Sequence, residues 1–286
     1  MLRWLYPTTC VLCHECSDTC LCEACREKLP RVPRPICLTC GSPVLSGQSS
    51  AHSCPQCRRK PRTYSLARSA LMMTGEVPRL LHDFKYHHAG YLAPAFALLL
   101  EEVWRQTPLF ARYDDWVLTP VPVTRSRLYE RGYNQAEELA RALGRRLSLR
   151  VQPMLERLTV EGGRSQTHLS GAARQRNAFA SFRVRPGLTE ADGEEGFLSR
   201  VRHLPSRLLR FSSGVLRLSS RGLRLPPRVL LVDDVYTTGA TARACSRLLS
   251  ELPGVEQVGV LTLVRAMSLP SEAGEATASP EVEAVE

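Results

Sequence analysis

Lysine is nearly missing from this 286-residue chain. Only Lys28, Lys60 and Lys85 are lysines among 38 basic residues; the rest are arginine. None of the three follows a glycine, which argues against a GxxxxGK[ST] phosphate loop and the nucleotide hydrolases built on it. Aromatic residues make up 6%, so platforms on which nucleic-acid bases can stack are scarce. No apolar run approaches the roughly 20 residues that span a bilayer. The opening MLRWLYPTTC carries one arginine and too short an apolar stretch for a secretory signal, so the expected location is the cytoplasm. Cysteine is absent after residue 57 except for Cys245.

Before that point cysteine is dense. C-x2-C pairs stand at Cys10/Cys13, Cys22/Cys25, Cys37/Cys40 and Cys54/Cys57. Thiolates two residues apart on a tight knuckle bind one metal together, and two such pairs close a tetrahedral zinc site. The pattern predicts one or two structural Zn2+ ions, with the first two pairs sharing one site and the last two the other. Cys13/Cys16 has the same spacing, so the ligand set of the first site stays open, with Cys16 and Cys20 as spares. A disulfide framework is the alternative; a reducing cytoplasm disfavours it.

With 43% hydrophobic residues the remainder can bury a real core, and the length suits one medium domain plus a small one. The expected organisation is a zinc module over 1–62, an α/β domain over 63–266, and a disordered acidic tail over 267–286. The net charge is +10. Without the five glutamates of the tail, the body carries about +15, which suits anionic ligands. YSLARSALMM, WVLTPVPV and VEQVGVLTLVRA read as strands. EVPRLLHDFKYHHAGYLAPAFALLLEEVWRQ reads as two helices broken around Ala89-Gly90, and NQAEELARALGRRL as another, preceded by a basic loop. This alternation predicts a parallel sheet. Residues 188–228 break the pattern: LRFSSGV, LRLSSRG and LRLPPRV recur every seven residues, as in a low-complexity insertion.

One stretch carries chemistry, VLLVDDVYTTGAT over 229–241. Val229 to Val232 are apolar and mostly β-branched, as in a buried parallel strand. Asp233 and Asp234 then fall at its end, the edge where α/β folds bind ligands. From Ala240 a helix is expected, with Thr241, Cys245, Leu248, Leu249 and Leu252 on one face. The intervening turn combines backbone N–H groups, a helix N-terminus and the hydroxyls of Thr237, Thr238 and Thr241, a setting for a phosphate. Two carboxylates beside a phosphate cradle suit a sugar phosphate.

The stretch resembles the phosphoribosyl-pyrophosphate (PRPP) motif of type I phosphoribosyltransferases, and the chain as a whole resembles the ComF family. The resemblance implies a type I phosphoribosyltransferase fold with an N-terminal double zinc ribbon. It implies that Asp233 and Asp234 hold the ribose hydroxyls, that Thr237, Thr238, Gly239, Ala240 and Thr241 cradle the 5′-phosphate, and that Mg2+ accompanies PRPP. In PVPVTRSRLYERGYNQ it puts Arg125, Arg127 and Arg131 on the pyrophosphate. In RSQTHLSGAARQRNAFASF, flanked by Gly162 and Gly163, it makes Gln166 and Arg174 part of a loop closing over the reaction centre. In FKYHHAG it marks Lys85 as a phosphate ligand, while His87 and His88 stand where relatives carry glycine. The implied reaction is attack at ribose C1 with loss of pyrophosphate. Leu2 in place of a cysteine after Met1 excludes the amidotransferase arrangement. The rival expectation, from the same resemblance, is a non-catalytic protein that handles single-stranded DNA in competence beside a helicase, with Tyr64, Tyr86 and Tyr133 near basic groups.

Overall fold

The structure is a computed structural model and describes residues 8–44, 54–59, 62–158, 181–188 and 226–266. Four strands, β1 (Leu66–Met72), β2 (Trp116–Pro120), β5 (Arg228–Tyr236) and β6 (Gln257–Arg265), form one sheet in the order β1-β6-β5-β2, every pair parallel. Parallel strands need crossovers, and the crossovers bury both faces of the sheet. This is why Val229 to Val232 are all fully buried without alternation. A separate antiparallel pair, β3 (Leu155–Arg157) and β4 (Phe182–Val184), stands beside it.

Helix α3 (Val77–Tyr86), a single 3₁₀ turn (Gly90–Leu92) and α4 (Ala93–Arg105) connect β1 towards β2, broken at Ala89-Gly90 as the sequence predicts. Short α5 (Pro108–Ala111) completes that connection. After β2 come α6 (Arg125–Arg131) and α7 (Gln135–Leu147), and α8 (Ala240–Ser250) joins β5 to β6. Phe84, Phe96, Leu99 and Leu139 fill one face of the sheet, and Cys245, Leu249 and Met154 the other.

Two expectations are corrected. The basic segment before α7 is a two-turn helix, α6, and not a loop. Thr124 caps it by accepting the Arg127 N–H, and Gly132 ends it at φ 77°. Strand β5 runs four residues beyond Val232, so both aspartates lie within the strand's last residues and not after it. The ladder to β6 persists because Thr262, Val264 and Arg265 still pair with Asp233, Val235 and Tyr236.

The cysteine segment contributes α1 (Glu23–Lys28) and α2 (Pro55–Arg59). It also covers the open edge of β1. Met72 N–H donates to Pro30 O (2.9 Å), Val32 N–H to Ala70 O (3.3 Å), and Ala67 N–H to Thr39 O (2.7 Å). At the opposite edge, Leu118 exchanges two bonds with Arg150 and Gln152. Both edges are thereby closed to pairing with another chain. All but the last two residues of the closing loop expected over 164–182, most of the 188–228 insertion and the acidic tail lie outside the described residues.

Candidate functional site

The C-terminal edge of β5 brings three of the predicted segments together. Lys85 Nζ, from the last turn of α3, lies 3.0 Å from Asp234 Oδ2. Asp233 turns inward, and its Oδ1 accepts the Asp234 N–H at 2.9 Å. Burial first, and the adjacent Asp234 charge second, push the Asp233 carboxyl well above the usual carboxylate range. Lys85 pulls the other way. The pair is thus a desolvated acidic edge, partly relieved by one lysine.

Beyond the acids, Thr237 and Thr238 are exposed, and Ala240 and Thr241 half-buried. Gly239 sits at φ 72° at the N-terminus of α8, and a Cβ there would collide with the Tyr236 hydroxyl. Only glycine fits both demands. The Tyr236 hydroxyl in turn bonds the Tyr64 hydroxyl at 2.7 Å in a buried contact. The loop therefore rests on a tyrosine pair that reaches back to the exit of the cysteine module.

Of the three arginines expected on the pyrophosphate, only Arg131 turns inward. It is 9% exposed, donates to Gln135 Oε1 (3.1 Å) and the Tyr86 hydroxyl (3.3 Å), and lies over the Tyr86 ring at 5.0 Å. Its Nε has no partner among the described residues. Tyr86 and Lys85 are neighbours on α3, so Arg131 stands on the same helix end as the lysine of the acid pair. Arg125 and Arg127 point outward on α6. Sequence reasoning missed Arg157. It ends β3 beside Phe182 at 5.1 Å, and its cation, disfavoured by burial and then by Arg127, is favoured by the Asp233 charge. No spacing signal marks it, because β3 is three residues long. Gln166 and Arg174 lie outside the described residues.

Two of the three tyrosines expected near basic groups are not free to stack. Tyr64 is 4% exposed, and the Tyr133 hydroxyl bonds the Phe84 carbonyl. Tyr129, on α6 one turn after the outward Arg125, is 94% exposed instead. His87 caps the end of α3 and holds Asp83 at 2.9 Å, while His88 adopts φ 51° where relatives' glycine was expected.

The cysteines gather as the sequential pairing predicts. Cys10, Cys13, Cys22 and Cys25 form one tetrad, and Cys37, Cys40, Cys54 and Cys57 the other, with the sulfurs of each within 4.8 Å of one another. Cys16 and Cys20 belong to neither. Four sulfurs at that separation fit a tetrahedral zinc. The knuckles are already organised by N–H···S bonds, from Cys22 to Cys10 Sγ (3.4 Å), Cys25 to Cys22 Sγ (3.4 Å) and Cys54 to Cys37 Sγ (3.3 Å). The Cys40 thiol, and then the Cys40 and Cys54 N–H groups, hold Cys37 well below the ordinary thiol range against the effect of burial. Cys245, far from both tetrads in α8, is buried, and burial pushes its thiol up. Among the described residues, no helix is long and apolar enough to cross a membrane.

Comparison with known proteins agrees with this geometry. Residues 1–58 match the double zinc ribbon domain family. Competence protein F of Haemophilus influenzae is 27% identical over 249 residues, covering 86% of this chain and 90% of the relative. Competence protein ComFC of Streptococcus pneumoniae is 23% identical, covering 87% and 89%. The DNA utilization protein YhgH of Salmonella typhimurium is 27% identical, covering 80% and 90%. The resemblance to ComF is borne out: the chain is a homologue of the competence F, ComFC and YhgH proteins, an α/β protein with a parallel sheet and an N-terminal double zinc ribbon.

Proposed function

We propose that the chain binds PRPP at the C-terminal edge of β5 and transfers its phosphoribosyl group with release of pyrophosphate, in the setting of DNA uptake or utilization that its relatives' names indicate. One observation carries this reading. The acid pair, the Lys85 ammonium 3.0 Å from it and the left-handed Gly239 opening α8 converge on one edge of the sheet. The carboxylates accept the ribose hydroxyls. The loop N–H groups and threonine hydroxyls take the 5′-phosphate, where the helix terminus favours negative charge. Lys85, and Arg131 held against Tyr86 at the same end of α3, share the charge of the pyrophosphate. Mg2+, bound with the substrate, supplies further neutralisation of the leaving group. Burial and then the Asp234 charge raise the Asp233 carboxyl, and an arriving cation favours its ionised form.

The test is a titration of PRPP with Mg2+ by calorimetry. Binding that is weakened in the Asp233→Asn/Asp234→Asn double variant, with the fold retained, supports the reading. Wild-type-like titration of that variant ends it. A hydrogen bond to a charged group contributes about 1.5–3 kcal/mol against about 1 kcal/mol for a neutral one, so exchanging two carboxylates for amides, each keeping one neutral acceptor oxygen, weakens PRPP binding by roughly ten- to a thousandfold.

A second reading is single-strand binding without turnover. Tyr129, almost wholly exposed on α6 with Arg125 and Arg127 one turn and half a turn away, favours it. An exposed aromatic ring one turn from Arg125 suits a base stacked beside a backbone contact. The two readings share no essential residue, and each is measured without the other.

A further inference from the structure

A cavity of about 560 Å3 opens on the ribbon side of the threonine loop. Gln56, Arg59 and Arg62, from α2 and the exit of the second ribbon, form one wall. Thr237, Thr238 and Arg243, from the loop and the first turn of α8, form the other. Neither Asp233, Asp234 nor Lys85 lines it, and no acidic side chain is found among its lining residues.

The arginines here are under-used. Arg243 is 8% exposed, and its Nη1 donates to the Thr238 carbonyl at 3.1 Å, yet its Nε has no partner among the described residues. Arg62 gives its Nε to Cys57 Sγ at 3.4 Å and leaves Nη1 unpaired. Beneath them Arg265, fully buried, bonds Cys40 O and Ser42 Oγ, lies 4.3 Å from the Tyr236 ring centre and leaves its own Nε unpaired. Burial, and then the neighbouring Arg62, both weigh against the Arg243 cation. Those unpaired nitrogens are themselves shut off from the cavity, but the guanidinium charges of Arg59, Arg62 and Arg243 gathered along its walls without an acid call for an anion.

The anionic zinc thiolates of the second ribbon account for only part of this charge. Arg62 touches a sulfur, but Arg59 and Arg243 make no hydrogen bond to one among the described residues. We propose that the cavity is a second anion site, separate from the acid pair, that takes the phosphate of a nucleotide. Arg59, Arg62 and Arg243 hold the phosphate, with the back of the threonine loop as the facing wall. The volume is within the range of small-molecule sites and leaves room for a sugar and base beyond the phosphate. Because Thr237 and Thr238 belong to the loop on whose other side PRPP is proposed to sit, an anion here fixes the loop from behind.

The experiment uses the full-length, zinc-loaded protein, titrated by calorimetry with AMP and, separately, with a twelve-residue oligo-dT lacking a terminal phosphate. PRPP with Mg2+ is titrated in parallel, so that failure of either site is read independently. Arg59 is exposed, and Arg59→Glu puts a negative charge in the cavity without touching the core. The expected result is AMP binding weakened by at least about tenfold, the scale of one charge-assisted hydrogen bond, with PRPP affinity altered less than about twofold. Arg243→Gln, from the opposite wall, weakens AMP in the same way. Loss of AMP alone identifies a free nucleotide as the ligand. Joint loss of AMP and oligo-dT identifies a phosphate carried on a strand. Absence of binding by both probes at millimolar concentration, or AMP binding unchanged by Arg59→Glu, overturns the proposal.

Discussion

His88 carries a left-handed backbone on a residue with a bulky ring, at φ 51°. An L side chain there costs roughly 1–2 kcal/mol, and glycine's extra unfolded-state freedom offsets about half of what its substitution would gain. His88→Gly should therefore raise stability by about 0.5–1 kcal/mol, seen as a higher urea midpoint at unchanged slope; an unchanged or lower midpoint means that the ring's packing beside Gly132 offsets the strain. Asp233 presents a different conflict, one of charge. Its carboxyl is raised in the fold, chiefly by burial and then by Asp234, so the folded chain holds that proton more tightly than the unfolded chain. The sign follows: this contribution to stability is full below the unfolded carboxyl pKa and is lost as pH rises through the folded pKa. Asp233→Asn keeps the oxygen that accepts the Asp234 N–H and removes the buried charge. Its thermal midpoint should exceed the wild type at pH 8 by several degrees, and the gap should close towards pH 4. A gap that is the same at both pH values would show that the charge is not the cause. Stability is being given up at the residue that the proposed ribose contact needs.

At the scale of elements, α6 is the informative case. Its capping signals, Thr124 before it and Gly132 after it, are present in the sequence, but three arginines and the preceding prolines outweigh them in a reading for loops. The longer elements show their period plainly: α3, α4 and α7 bury one stripe each, and β2, β5 and β6 carry short, nearly continuous apolar runs such as Val229–Val232. Strands β3 and β4 are too short to show a period, so Arg157, whose charge feels Asp233, could not be anticipated. The cysteine tetrads were legible because metal chemistry fixes spacing locally. The Tyr64–Tyr236 bond, between residues 172 apart, leaves no local trace. Nor did the sequence say which of the basic residues on α6 turn inward: that follows from Tyr86 offering Arg131 a ring and a hydroxyl. The outward face yields a prediction of its own. Tyr129→Ala should weaken single-strand binding by about 1–3 kcal/mol while changing stability by less than about 0.5 kcal/mol. Arg125→Gln and Arg127→Gln should each flatten the dependence on salt, by about 0.7 in logarithmic slope for every phosphate left without its arginine. Filter binding across a salt series reads both effects, and an unaltered slope would remove α6 from the interface.

For the whole molecule, the two ribbons are not appendages. Residues 30–39 hydrogen-bond along the edge of β1. The first tetrad contributes Cys10 to the core on the α3–α4 face, and the second contributes Cys37, Cys40 and Cys57 to the core on the α8 face. The second is the one that touches the candidate site. Arg62 bonds Cys57 at 3.4 Å, Tyr64 follows two residues later and supports Tyr236, and Arg265 links the Cys40 carbonyl to the Tyr236 ring. The second ribbon therefore forms part of the back wall of the threonine loop, so metal held there is expected to steady that loop and metal in the first ribbon is not. Mass spectrometry of the native protein should find two zinc ions per chain, and one would exclude a tetrad. Cys57→Ser should then retain a single zinc and raise backbone hydrogen exchange across residues 236–241, because losing the knuckle frees Arg62 and unseats Tyr64. Cys13→Ser, on the exposed side of the first tetrad, should lose one zinc too but leave exchange in 236–241 as it was. Equal exchange in the two variants would mean that the loop stands on the sheet alone. A difference confined to Cys57→Ser, accompanied by weaker PRPP binding, would make the second ribbon a structural part of the ligand site.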